Sequence, residues 1–279
     1  MQTRFFLGQN PFGFHRVAYT AWGRISFRVP VVCVHGLTRN GRDFDPLAAA
    51  LQNTRRIFCP DIVGRGKSDW LKDPTGYGYP QYLADMNALI ARTGRLKVDW
   101  VGTSMGGIIG MFLASLPRSP IRRLVINDVG PFIPLAALQR IASYVGQVKN
   151  FADTGEVERH MRQIYAGFGA LTDAQWQHLA AHGTRATQDN SLALAHDPAI
   201  AQNFAALEQD VDFWPRYDRI RCPVLLIRGE RSDILTADTA QAMTERGPKA
   251  KLLTLPAIGH APALMDAAQI KAVTDFLAG

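Results

Sequence analysis

The sequence predicts an α/β fold: a mostly parallel sheet covered by helices on both faces, with an inserted all-helical cap. Three observations carry this. Short continuous apolar runs alternate with stretches of helical spacing before residue 131 and again after 214. That is the pattern of strands buried on both faces and joined by crossover helices. From Pro131 to about Trp214 the pattern changes: alanine, glutamine and helical spacing dominate, and no strand-like run appears. Finally, a serine stands between two glycines, Gly102-Thr103-Ser104-Met105-Gly106, where an apolar strand pattern gives way to an apolar helix pattern.

Taken in order, Phe14 to Trp22 and Ser26 to Val29 alternate like an antiparallel hairpin turned near Gly23-Arg24. Pro30 to Val34 is a continuous apolar run ending at His35-Gly36. Asp43 to Leu51 reads as a helix and Arg56 to Pro60 as the next strand. Tyr79 to Thr93 carries helical spacing, with Tyr82, Met86, Leu89 and Ile90 on one face. Val98, Trp100 and Val101 precede the serine turn, and its helix leads to a strand at Leu124 to Asp128. In the cap, Ile141, Tyr144, Val145 and Val148 form one stripe, and Met161, Ile164 and Tyr165 part of another. Sheet strands resume at Val224 to Ile227 and Lys251 to Leu255, and Asp266 to Leu277 closes the chain as a helix. The expected domains are a core of residues 1–130 and 215–279 and a cap of residues 131–214.

With 279 residues, 47% of them hydrophobic, the chain can bury a sizeable core. A net charge of +7 is spread over short clusters (Arg55-Arg56, Arg122-Arg123), with acidic residues between. This argues against nucleic acid as a partner and for a solvated surface with some attraction for anions. The three cysteines, Cys33, Cys59 and Cys222, lie in or beside apolar runs at spacings that match no zinc or redox pattern. They read as small buried hydrophobes of a reducing compartment. The N-terminus lacks the apolar stretch of a secretory signal, and no run approaches the roughly 20 apolar residues of a membrane span. The expectation is a soluble, cytoplasmic protein without a membrane partner, monomeric or homodimeric.

A serine on a strained strand-to-helix turn has its hydroxyl pushed clear of the backbone and can act as a nucleophile. It then needs a base, usually histidine, held in the right tautomer by a carboxylate. In an open parallel sheet such groups belong on loops at the carboxyl ends of strands. Asp233 follows the strand ending at Ile227, within Gly229-Glu230-Arg231-Ser232-Asp233, and His260 follows the strand ending at Leu255, within Gly259-His260-Ala261-Pro262. The order Ser104, Asp233, His260 is the order of α/β-hydrolases.

From about residue 12 to its end the chain resembles the α/β-hydrolase fold superfamily, and more narrowly its capped serine hydrolases of the carboxylesterase or enol-lactonase type. Four landmarks carry the resemblance: His35-Gly36-Leu37 after an apolar strand, Asp61-Ile62-Val63-Gly64-Arg65-Gly66-Lys67-Ser68, the serine turn, and Gly259-His260. The resemblance implies a sheet of about eight strands and a cap inserted after the sixth. It also implies an oxyanion hole built from the backbone N–H groups of Leu37 and Met105. It leaves a competitor for the acid, since some relatives place theirs where Asp128 stands; Asp233 is preferred because its turn matches the commoner arrangement. His35 suits a structural hydrogen bond, and Gly64-Arg65-Gly66 a tight turn rather than a phosphate loop.

The expected reaction is carboxylic ester hydrolysis through an acyl-enzyme, with no metal or organic cofactor. An elbow serine argues against dehalogenase and epoxide hydrolase chemistry, whose relatives carry an aspartate nucleophile there. Enol-lactones, oligomers of hydroxyalkanoates or other polyesters, and carbon–carbon substrates are alternatives sharing the triad. A ligand-binding receptor on a hydrolase fold is the alternative of another kind. The cap's apolar residues, among them Ile133, Leu135, Leu138, Ile141, Phe168, Trp176, Phe204, Phe213 and Trp214, suggest an apolar pocket wall.

Overall fold

The computed structural model describes residues 1–24, 27–203 and 208–279. An eight-stranded sheet forms its centre. The strands are β1 (Gln2–Asn10), β2 (Gly13–Trp22), β3 (Val31–Val34), β4 (Ile57–Pro60), β5 (Val98–Thr103), β6 (Ile121–Asn127), β7 (Val224–Gly229) and β8 (Lys251–Leu255). Across the sheet they run β1-β2-β4-β3-β5-β6-β7-β8. β1 and β2 are antiparallel, β2 meets β4 antiparallel, and every later pairing is parallel.

Successive side chains of a strand leave opposite faces of the sheet, and the central strands are apolar on both. Val32, Val34, Trp100 and Leu226 pack into one cluster with Met86 and Leu89 of α2 (Tyr79–Arg92), Ile109 of α3 (Met105–Ser115) and Met243. Val31, Cys33, Val101 and Leu225 pack into the other. There they meet Leu47 of the helix Asp45–Leu51 and Val273 and Leu277 of the last helix, Ala267–Ala278. Each such fully buried aliphatic side chain contributes roughly 1.5–3 kcal/mol. The result is a rigid platform whose parallel strands all present their carboxyl ends on one side. No helix among the described residues is long and apolar enough to cross a membrane.

Three expectations are corrected. The hairpin turns at residues 11 and 12, pairing Gln2 with Ala21 and Asn10 with Gly13, not at Gly23-Arg24. The inner edge of β2 is taken by β4, from Tyr19↔Pro60 to Trp22↔Ile57, so residues 27–29 have no edge to join; Ser26 lies outside the described residues. The insert is not all-helical either. Its helices α4 (Leu135–Val145), α5 (Thr154–Ile164) and α6 (Asp173–His182) are joined by a small antiparallel sheet of Asn150–Phe151, Leu192–Leu194 and Thr184–Ala186. A further two-residue pair, Phe132–Ile133 with Val211–Asp212, closes its base. Segments of two or three residues are too short to display an alternation. Val148 lies beyond the end of α4 and is 74% exposed, off the stripe assigned to it.

Candidate functional site

Ser104 stands alone between the last residue of β5 and the first of α3, at φ 50° and ψ −115°. A non-glycine residue held in such a region costs on the order of 1–3 kcal/mol. The neighbours hold it: its N–H donates to the Asn127 carbonyl at 2.9 Å, and its own carbonyl accepts from Gly107 at 2.8 Å. The two glycines make room. A Cβ on Gly102 would run into the Gly106 carbonyl, and one on Gly106 into the Val34 carbonyl of the adjacent strand.

His260, on the loop after β8, places Nε2 2.9 Å from the Ser104 Oγ. Its Nδ1 lies 2.8 Å from Oδ2 of Asp128. That carboxylate follows β6 directly, with its backbone at φ 59° and its side chain fully buried. The other oxygen of Asp128 accepts the Gly229 N–H at 2.8 Å. With a carboxylate at Nδ1 the ring carries its proton there, leaving the Nε2 lone pair for the serine hydroxyl. The structure thus brings Ser104 and His260 together as expected, but the acid beside them is Asp128, not Asp233.

Asp233 is directed elsewhere by its turn. Arg231 N–H donates to the Ile258 carbonyl, and Ser232 Oγ accepts from Leu235 N–H, which turns the Asp233 side chain toward the cap. There it takes a two-pronged ion pair from Arg140 of α4, Nε to Oδ2 at 2.5 Å and Nη2 to Oδ1 at 2.9 Å. Both side chains are about half exposed, at 45% and 46%.

Leu37 follows β3 in the His35-Gly36-Leu37 turn and lines the cavity beside Ser104. Met105 is the first residue of α3, where a helix N–H has no carbonyl of its own helix to bond. The turn is braced by the Asp61–Ser68 segment. His35 donates from Nδ1 to the Gly36 carbonyl at 2.7 Å and accepts the Ile62 N–H on Nε2 at 2.9 Å. Asp61 accepts N–H groups from Gly41 and Lys67, and burial pushes its carboxyl up to about 6.

Arg65 is the residue of this segment that sequence reasoning passed over. It is fully buried, and its Nε donates to the Leu37 carbonyl at 2.8 Å. Its Nη1 serves the Val63 carbonyl and the Tyr82 hydroxyl, at 2.8 and 2.9 Å, and its Nη2 faces the Met105 sulfur. Among the described residues no carboxylate pairs with it, so a buried positive charge stands directly behind the Leu37–Met105 pair. The only sequence signal for it was its place between two glycines in the Asp61–Ser68 landmark.

Burial pushes the His35 pKa down to about 3, against the opposing Gly36 hydrogen bond. The unfolded chain therefore binds a proton at His35 that the native state does not, between pH 3 and 6.5. Stability from this group is present above pH 6.5 and falls as the pH drops through that window. Asp61 works in the opposite sense below pH 6, so the His35 share is read by difference. The stability advantage of wild type over His35→Gln should shrink by nearly tenfold in folding constant per pH unit below 6.5. Denaturant unfolding at pH 7, 6 and 5 checks this; an advantage constant with pH contradicts it.

Two recesses meet at Ser104, sharing Leu37 and Ile141. One is an apolar cavity of about 300 Å³ walled by Met105, Ile108, Val129, Ile133, Leu138 and Phe213 among others. The other, about 70 Å³, carries Thr38, Arg39, Arg140, Tyr144, Tyr165 and Phe168. Ile133, Leu138, Ile141 and Phe213 thus serve the apolar wall, Phe168 the polar recess, and Trp176 the cap's own core; Phe204 lies outside the described residues. Cys33 and Cys59 are buried and Cys222 half-buried, all three free. Among the described residues, the one group with metal-ligating spacing is Asp45, His178 and His182. Arg42 already bonds Asp45 Oδ2 at 2.7 Å through Nε and lies 3.5 Å from His182 Nδ1, so a cation of the chain itself fills that place.

This constellation joins a serine hydroxyl, an imidazole and a buried carboxylate in one hydrogen-bonded chain, an arrangement that can serve acyl transfer. A family model described as alpha/beta hydrolase fold matches residues 29–266. The chain is 43% identical to the 3-hydroxybutyrate-oligomer hydrolase of Cupriavidus necator, over 97% of this chain and 95% of that one. It is 28% identical to the 2-(acetamidomethylene)succinate hydrolase of Mesorhizobium japonicum, over 87% and 86%. Among solved structures, an alpha/beta hydrolase from Novosphingobium aromaticivorans superposes with a TM-score of 0.89 at 38% identity, covering 99% of this chain and 98% of the other.

Proposed function

Because the chain belongs to the alpha/beta hydrolase fold family, we propose that it is a serine hydrolase of carboxylic esters acting on short oligomers of hydroxy acids of the 3-hydroxybutyrate kind. The observation that carries the reading is the Ser104–His260–Asp128 chain at 2.9 and 2.8 Å, opening onto an apolar cavity. The oligomer substrate is supported by the relative of that name, which this chain matches nearly end to end.

In the first half-reaction Ser104 Oγ attacks the ester carbonyl carbon while its proton passes to His260 Nε2. The oxygen, now negative, is met by the N–H groups of Leu37 and Met105. Such donors act where charge develops, and removing one costs roughly 10²–10³ in rate. The tetrahedral carbon then expels the alcohol oxygen, which takes the proton from His260, leaving the acyl group on Ser104. In the second half a water attacks that carbonyl as His260 takes its proton. Collapse returns the proton to Ser104 and frees the acid. Asp128 keeps the imidazole in the productive tautomer and offsets its transient positive charge. Arg65, by holding the Leu37 carbonyl, keeps the Leu37 N–H aimed at the oxyanion. The described part of residues 131–214 acts as a lid, with Ile133, Leu138, Ile141 and Phe213 walling the acyl group.

Incubation with the linear dimer and trimer of 3-hydroxybutyrate, with products separated by chromatography, tests the reading. Steady release of monomer, lost in Ser104→Ala, is expected. No turnover of either oligomer by folded protein that still cleaves simple p-nitrophenyl esters would remove the oligomer substrate, and inertness toward both would remove the esterase.

A further inference from the structure

The two recesses at Ser104 are chemically unequal, and a linear hydroxy-acid oligomer is unequal in the same way. It has an uncharged polyester body and one end that carries a free carboxylate. The large recess offers that end no charge: apart from Tyr77, Tyr79 and Tyr82 its wall is apolar, and an unpaired carboxylate buried there would be expensive. The small recess holds two guanidinium groups, Arg39 and Arg140, and one carboxylate, Asp43. Arg39 is committed. It is buried, bonded to both oxygens of Asp43 at 2.9 and 2.7 Å, and its Nη1 faces the Met161 sulfur.

Arg140 is held differently. Its partner Asp233 reaches it from the core across the mouth of the site, and both lie about half in solvent. A pair that exposed is open to solvent and is screened by salt. Within the pair it donates through Nε and Nη2, two of its five N–H groups, and it also bonds the Tyr144 side chain. Tyr144, one helical turn further along α4, stands beside the same guanidinium in the same recess. The guanidinium therefore lines the site on a helix, its planar fork matches a carboxylate, and the carboxylate it now holds is open to exchange with solvent.

We infer that Arg140 anchors the free carboxylate of the substrate, exchanging or sharing its Asp233 partner when the oligomer binds. The inference rests on the ester-hydrolase reading for its substrate but not for its binding chemistry. Asp233, four residues past the end of β7, then acts as a stand-in that holds the anchor in place between substrates. Binding also couples cap to core, since the ion pair it disturbs joins the two.

The test compares kcat/KM for the free-acid dimer of 3-hydroxybutyrate with that for its methyl ester, in wild type, Arg140→Gln, Arg140→Lys and Asp233→Asn. Binding of 3-hydroxybutyrate itself is measured by calorimetry on the same four proteins. Wild type should favour the acid. Arg140→Gln should lower the acid-to-ester ratio by about 10–100-fold, through KM rather than kcat, matching the loss of a charge-assisted hydrogen bond. Arg140→Lys should recover part of it, and Asp233→Asn should raise the ratio, most clearly at low salt. An unchanged ratio in Arg140→Gln, with unchanged 3-hydroxybutyrate binding, overturns the anchor. Arg140-dependent binding without turnover of any ester would instead keep the anchor and remove the ester-hydrolase reading.

Discussion

Ser104→Ala should lower kcat for ester cleavage by about 10⁶-fold, with the protein as stable as wild type or slightly more so. The magnitude follows from the chemistry: without Oγ there is no acyl-enzyme, and the backbone donors and pocket alone leave about 10³–10⁴ over water. The strained backbone at φ 50° belongs to the turn and persists with alanine there, since the bonds that hold it, to Asn127 and Gly107, use the Ser104 main chain. His260→Ala should cost about as much, because nucleophile and base act as a unit, and the double variant should be little worse than either. Steady-state kinetics on a p-nitrophenyl ester checks all three. A loss of only tenfold in Ser104→Ala would mean that water, not the serine, attacks.

The second large effect separates two aspartates. Asp128→Asn should lower kcat by about 10⁴-fold, since an amide at His260 Nδ1 can stabilise the wrong tautomer and cannot offset the imidazolium. Asp233→Asn should leave kcat on an uncharged ester within a few-fold of wild type. The contrast is set by position: Asp128 is fully buried with one oxygen on His260 and the other on the Gly229 N–H, whereas Asp233 is 46% exposed and paired with the cap. The reverse pattern would return the acid's role to Asp233 and require the turn after β7 to rearrange when substrate binds.

That contrast also marks where the sequence stops being legible. Ser104 and His260 could be read because local rules suffice for both: two glycines at a strand–helix junction, and a histidine just past a strand's carboxyl end. The carboxylate at His260 Nδ1 could not, because Asp128 and Asp233 both follow strands that end on the same side of the sheet. What distinguishes them is the direction each turn gives its side chain. Arg231 and Ser232 send Asp233 outward, while Asp128, at φ 59°, leaves its strand facing His260. No residue pattern within the turns encodes that direction.

The sheet was legible for a similar reason as the serine. Its central strands are continuous apolar runs, and the helices between them carry clear stripes. The first hairpin was misplaced because β1 is an edge strand with little buried beyond Phe6 and Gly8, so it lacks the buried run, Val17 to Ala21, that marks β2. Arg140 was out of reach altogether. Within α4 it reads as one more solvated arginine, and only the packing of cap on core brings it to the mouth of the site. Arg65 had a motif around it but no chemistry until the Leu37 carbonyl was seen to be its partner.

The central claim is that Ser104, driven by His260 and Asp128, forms a covalent acyl-enzyme. Labelling with a fluorophosphonate, which mimics the tetrahedral intermediate and stays bonded to an activated serine, tests it most directly. Peptide mass spectrometry should place a single adduct on Ser104 in wild type, formed orders of magnitude more slowly in Asp128→Asn and at near wild-type rate in Asp233→Asn. Steady ester turnover by a protein that takes no label at Ser104, or takes it on another residue, would contradict the account.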